Sequence, residues 1–172
     1  MVAKNGINLI EEFKSEKDNE FILLTAFEFD PLFFDTYLFD KIIDNNKNSE
    51  LFVLVDANTY FSKYDRFTSR TGTDYHLIPV RMNNGFFHPK TFLFLSEYKA
   101  EASFYVCSSN LTLPGLTNNV ETVLKANYSL EGEVSKSIRK ALDFFEGIGE
   151  SLVDDESYQN YVSNIMESDG LD

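Results

Sequence analysis

Residues 20–27, EFILLTAF, are apolar almost without interruption and rich in β-branched and aromatic side chains, the pattern of a short strand buried on both faces. Asp30-Pro31 then offers a helix start. Proline fits a first helical turn, and Leu32, Phe33, Tyr37, Phe39 and Ile43 continue at roughly helical spacing until the polar DNNKNS stretch ends the run. LFVLVDA at 51–57 reads as a second buried strand. Strand, helix, strand in that order predicts an α/β crossover and a sheet covered on both faces, with a polar loop from Asn58 to Asp74.

Three strand-like runs come next, YHLIPVRM at 75–82, FHPKTFLFL at 87–95 and ASFYVCS at 102–108. Only SEYKAE separates the second from the third, which favours an antiparallel hairpin. A fourth run, NVETVLKA at 119–126, follows the turn-like LTLPGLTN. Val134, Ile138, Leu142, Phe145 and Ile148 recur at steps of four, four, three and three, predicting an amphipathic helix with Glu131 and Glu133 at its positive end. Tyr158, Tyr161, Val162 and Ile165 suggest another, so that about 150–172 is a C-terminal helix with a frayed polar tail. The expected fold is α/β, a mixed β-sheet flanked by helices on both faces, in one domain spanning 1–172.

Composition narrows the class. With 43% apolar residues, 17 Phe and 9 Tyr among 172, the chain can bury one substantial core, which excludes a disordered or collagen-like protein. No apolar run approaches a membrane span, and MVAKNGINLIEEF lacks the apolar core and small-residue cleavage site of a secretion signal. The lone Cys107 cannot form an internal disulfide. A cytoplasmic protein with no membrane partner is the expectation. The net charge of −13 speaks at first against a polyanionic partner, but it is unevenly spread. Residues 66–130 carry six basic groups against four acidic, whereas both flanks are strongly acidic. A phosphate site, if present, belongs in that middle third.

There, His88 and Lys90 stand two apart in FFHPKTFLF and so share one face of a strand. A hairpin centred near Lys99 sets residues summing to about 198 opposite each other, pairing Lys90 with Ser108 and His88 with Asn110. The register is sensitive, since a slip of one residue turns half the set to the other face. Such a cluster suits a phosphodiester: lysine supplies a fixed charge, the Asn amide and Ser hydroxyl donate to non-bridging oxygens, and a neutral imidazole attacks phosphorus or passes protons. A carboxylate on the other ring nitrogen would fix the tautomer, and Glu121 is the nearest candidate by sequence. An H-x-K pair alone is an ordinary strand start. The ordered set downstream is what sets this one apart.

His88-Pro89-Lys90, Ser108-Ser109-Asn110-Leu111-Thr112, Gly115-Leu116 and Asn119-Val120-Glu121 together resemble the H-x-K, S-x-N and G-L-x-x-N-x-E signature of the phospholipase D superfamily, closest to its single-motif bacterial nucleases and restriction-type members. The resemblance implies a phospholipase D-like fold over about four-fifths of the chain. It implies a metal-independent nuclease in which His88 forms a covalent phosphohistidine, with Lys90, Asn110 and Glu121 as the other catalytic residues and Ser108, Ser109 and Asn119 contacting substrate. Neither a metal nor a cofactor is required. Because the family places two such motifs around one phosphate, it also implies a homodimer, one His88 attacking while its twin protonates the leaving oxygen. Nucleic acid is the implied substrate, DNA ahead of RNA. A role as effector domain of a prokaryotic restriction or anti-phage protein, with further domains or defence partners, fits the same resemblance. Two positions depart from the pattern: Leu95 stands where larger members carry an Asp, leaving the orienting role to Glu121, and Cys107 replaces the Gly usual before the serine pair.

Other readings stand beside this one. The acidic flanks and Cys107 fit a catalytically silent nucleic-acid-binding or dimerisation module, and a phospholipid phosphodiesterase is a weaker enzyme reading because no basic amphipathic helix brings the chain to a bilayer. His76 reads as structural, and Cys107 as a small buried strand residue. The Phe-rich stretches at 27–39 and 86–94 read as core rather than a base-stacking platform, with some rings free to line a cleft.

Overall fold

The first apolar run of the chain lies at the centre of the sheet. In the computed structural model, which describes residues 8–64, 74–129, 140 and 143–144, strand β1 (Phe21–Ala26) is buried along its whole length. It is flanked by β2 (Glu50–Asp56) on one side, in parallel, and by β4 (Thr91–Ser96) on the other, antiparallel. Strand β3 (His76–Val80) extends the parallel half, while β5 (Glu101–Cys107) and β6 (Val123–Ser129) continue the antiparallel half as a meander. The sheet has six strands in the order β3-β2-β1-β4-β5-β6.

The crossover expected between the first two strands is present. Asp30 caps it by accepting from Phe33 N at 3.0 Å, and Pro31 opens α2 (Pro31–Phe33), which runs through a π-helical turn (Phe34–Leu38) into α3 (Phe39–Ile43). Two further helices lie outside the sequence expectations. Helix α1 (Leu9–Ser15) buries Leu9, Ile10 and Phe13 behind an Asn8 cap. Helix α4 (Ala57–Lys63) occupies the first part of what reads as a polar loop. Only Ala57 and Tyr60 of α4 are buried, too few for an apolar period, and the Asp56 Oδ1 bond from Thr59 N at 2.8 Å starts it instead.

Ile22, Leu24, Val53, Val55, Phe92 and Phe94 form one core with these helices, Phe13 packing edge-on to Phe92 at 5.1 Å. Phe21, Leu23, Phe52, Leu54, Leu93 and Leu95 form a second core on the opposite face, joined by Phe87. Helices α1 to α4 all pack on the first face. The amphipathic segments expected around 134–148 and 158–165, and the polar tail, fall outside the described residues apart from isolated positions.

Candidate active site

The ladder between β4 and β5 pairs Thr91 with Val106 and Phe92 with Tyr105, a sum of 197 rather than 198. The expected register is corrected by one residue. A four-residue turn, Glu97 to Ala100, closes the hairpin with Ala100 in the left-handed region at φ 50°, and this sets the centre half a residue earlier than Lys99. Lys90 therefore lies beside Cys107, whose N–H donates to Lys90 O at 3.0 Å, and not opposite Ser108. Strand β4 also begins later than expected, at Thr91, so His88 and Lys90 precede the ladder. Pro89 between them has no N–H to contribute to one.

What gathers the site is the end of β1. Beyond Ala26 the chain continues through Phe27 and Glu28, and the segment after β5 crosses to meet it: Leu111 N donates to Glu28 O at 3.1 Å, and Asp30 N to Leu111 O at 3.0 Å. Glu28 N donates to Asn110 Oδ1 at 3.0 Å. With its carbonyl held there, Asn110 has its NH2 left as the donating end. Just before β4, the exposed His88 ring leans on Phe27 with centroids 4.7 Å apart, and Lys90 Nζ lies 3.1 Å from His88 Nδ1 and 3.2 Å from Nε2. His88, Lys90 and Asn110, the first two lying at least 20 positions before the third, thus converge around the Phe27–Glu28 corner. Sequence reading did not assign Phe27 and Glu28 to the site, because Phe27 closes an apolar run that reads as core and Glu28 stands at no spacing that links it to the motif residues.

The remaining expected residues divide. Ser108 Oγ donates to a Glu121 carboxylate oxygen and accepts from Thr122 N at 2.9 Å, while Asn119 Nδ2 donates to Glu121 Oε1 at 3.2 Å. The three form a second cluster beside the first. Glu121 is therefore tied to Ser108 and Asn119 within the chain, not to a ring nitrogen of His88. Ser109, expected to contact substrate, is 0% exposed and is sealed from any ligand in this geometry. His76 stacks on Phe52 at 4.7 Å and meets Glu50, an ordinary structural histidine.

Burial lowers the pKa of the Lys90 ammonium, opposed by the Cys107 thiol, Glu121 and Glu28. The Cys107 thiol is pushed up to about 11, chiefly by burial, so it stays protonated near neutrality and serves as packing against the first core. At the rim, Lys63 pairs with Glu28 at 2.6 Å, leaving Lys90 as the cation in contact with the imidazole. A nucleophilic or basic ring, an ammonium and an amide donor on one partly exposed corner can hold and attack a tetrahedral oxyanion ester. Among the described residues no group of three His, Cys, Asp or Glu is gathered as metal ligands.

No protein-family model and no curated protein matches the chain. Among solved structures it is similar to NucT from Helicobacter pylori, with a TM-score of 0.53 and 15% identity over 84% of this chain and 87% of that one. It is similar as well to Nuc from Salmonella typhimurium, a phospholipase D family member, with a TM-score of 0.50 and 13% identity over 78% of this chain and 83% of that one. A mutant of the yeast tyrosyl-DNA phosphodiesterase gives a TM-score of 0.52 and 14% identity over 81% of this chain, which spans 34% of the yeast protein. The chain has the fold of these structures, one of which is a phospholipase D family member. The sheet is mixed, as the strand pattern predicts.

Proposed function

We propose that the chain is a phosphodiesterase acting on nucleic acid, DNA in preference to RNA, through a metal-independent covalent mechanism. The observation that carries the reading is the convergence of His88, Lys90 and Asn110 on the Phe27–Glu28 corner of this fold. A ring nitrogen of neutral His88 attacks phosphorus, the bond to the leaving oxygen breaks, and that oxygen takes a proton from an acid. Water then attacks the phosphohistidine and returns the free imidazole. Lys90 and the Asn110 NH2 hold the non-bridging oxygens as charge builds on them. Ser108, whose hydroxyl proton is committed to Glu121, supports that carboxylate rather than the phosphate.

One chain supplies one catalytic imidazole, so the acid is drawn from a second copy, and Glu121, bonded to Ser108 and Asn119 in its own chain, would orient the ring of that copy. Support comes from exposed apolar side chains beside the site, Val106, Val120 and Leu124, and from β6, which is the last strand in the sheet order. A place as effector domain of a prokaryotic defence protein remains part of the proposal. The decisive experiment incubates the purified chain with DNA and RNA in EDTA and weighs it in solution. Cleavage that survives EDTA from a dimer is expected; loss of all cleavage under EDTA, or a monomer at micromolar concentration, overturns the mechanism. Tight, salt-sensitive binding without turnover would instead identify a silent binding module. Headgroup release from phospholipid vesicles would identify a lipid enzyme.

Lys90 also predicts a pH profile. Its pKa is lowered, so the charged form that holds phosphate is lost at lower pH than for a free lysine. The rate constant kcat/KM should fall on an alkaline limb below the ordinary lysine range, and Lys90→Arg should remove that limb while lowering activity at neutral pH. A profile unchanged by Lys90→Arg would mean that another group titrates.

A further inference from the structure

The loop from β3 to β4 holds a second exposed ring beside the site. Gly85 lies in the left-handed region at φ 96°, where the chain turns before two consecutive phenylalanines. Phe87 goes inward: it is 3% exposed in the second core, and its N–H donates to Asp56 Oδ2 at 3.0 Å. Asp56 is itself buried and spends its other oxygen capping α4, so both carboxylate oxygens fix this loop to the sheet. With Phe87 anchored, Phe86 goes outward and is 63% exposed. Its ring stands edge-on to Phe27, 5.8 Å between centroids at 81°, and Phe27 in turn lies against His88, with Lys90 Nζ 5.8 Å from its centroid. Most of the 17 phenylalanines are core, but these two form a continuous apolar shelf leading from the imidazole and ammonium to solvent.

We infer that the Phe27–Phe86 shelf is the stacking site for a nucleobase next to the phosphate held at His88 and Lys90, and that the substrate is therefore an unpaired strand. The inference rests on the proposed nucleic-acid phosphodiesterase. A flat apolar ring on a pre-fixed loop offers stacking without base-specific hydrogen bonds, which every base can use. In a duplex the bases are already stacked on each other, and extracting one costs binding energy. Adjacency to Lys90 places the ring where the sugar of the held phosphate carries its base.

The chain contains no Trp, so Phe86→Trp in a His88→Ala background introduces a lone indole as reporter. Titration with a short single-stranded DNA should quench its emission, whereas an abasic sugar-phosphate strand of equal length and the corresponding duplex should bind at least about tenfold more weakly. In the His88→Ala background, Phe86→Ala and Phe86→Leu should each lose about tenfold in affinity for the base-bearing strand relative to the His88→Ala parent and keep its affinity for the abasic one. Equal affinity of those variants and their parent for the base-bearing strand, or equal quenching by the abasic strand, overturns the stacking site while leaving the phosphodiesterase reading intact. Loss of dimerisation in Phe86→Ala, read by light scattering, would assign the ring to an interface and overturn it as well. Absence of any strand binding or cutting by the unaltered chain overturns both.

Discussion

Replacing His88 by alanine is expected to lower turnover of a nucleic-acid phosphodiester by about 10⁴-fold or more, the scale seen when a covalent nucleophile is removed. Lys90 and Asn110 are left in place by this change. Lys90 Nζ loses its neighbour at 3.1 Å but gains no new one, and Asn110 remains held through Glu28 N. Substrate binding should thus persist, with kcat carrying the loss and KM changing little. Stability should move by less than about 0.5 kcal/mol, since the ring is exposed and its packing is a single face on Phe27. Single-turnover kinetics together with thermal unfolding separate the two effects. Acid-labile phosphate retained on the intact protein after a quench, and absent from the variant, would place the phosphoryl group on this ring. Equal cleavage by the variant would remove His88 from the mechanism.

The second large effect is expected where no chemistry takes place. Gly115 sits in the π-helical turn Pro114–Asn118, and a Cβ there would lie 2.6 Å from Asn110 O and 3.1 Å from Asn110 N. Both are backbone atoms, so the neighbour cannot swing aside as a side-chain tip would. Gly115→Ala must displace either the turn or the Asn110 segment, whose carboxamide is registered against Glu28 N and whose next residue bridges Phe29. A shift of this kind is expected to lower kcat/KM by about 100-fold through misplacement of the amide donor. Overpacking should also cost about 1–3 kcal/mol of stability. A folded Gly115→Ala protein with unaltered kinetics would show that Asn110 does not touch the phosphate. Comparison with Asn110→Ala tests the route of the effect: if the glycine acts through Asn110, the double variant should lose little more activity than Asn110→Ala alone.

Both predictions depend on relations that differ in how far they can be read from the chain. The apolar runs at 20–27 and 51–57 are strands because a continuous hydrophobic stretch of that length is stable only when buried on both faces, and β1 and β2 are buried so. Asp30-Pro31 announces its helix, and SEYKAE its hairpin, through turn and cap chemistry that acts over a few residues. Helix α4 escaped notice because it is held by one cap and by Tyr60 reaching the core, not by an amphipathic period. The spacing of His88, Lys90, Asn110 and Glu121 singles out the middle third of the chain, but the first three are brought together by the end of β1, which lies outside that third.

The sequence by itself determined the strand inventory, the crossover, the hairpin and the residue types available for phosphate chemistry, because each depends on periodicity or on short-range backbone preferences. Tertiary structure alone decided the one-residue register that sets Lys90 against Cys107, the delivery of Asn110 by Glu28, the coupling of Glu121 to Ser108, and the outward turn of Phe86 opposite the buried Phe87. Those outcomes are selected by hydrogen bonds and packing between segments far apart in the chain. Shifting a strand by one residue leaves its local pattern unchanged while reversing which side chains face the core, so no local pattern can encode that choice.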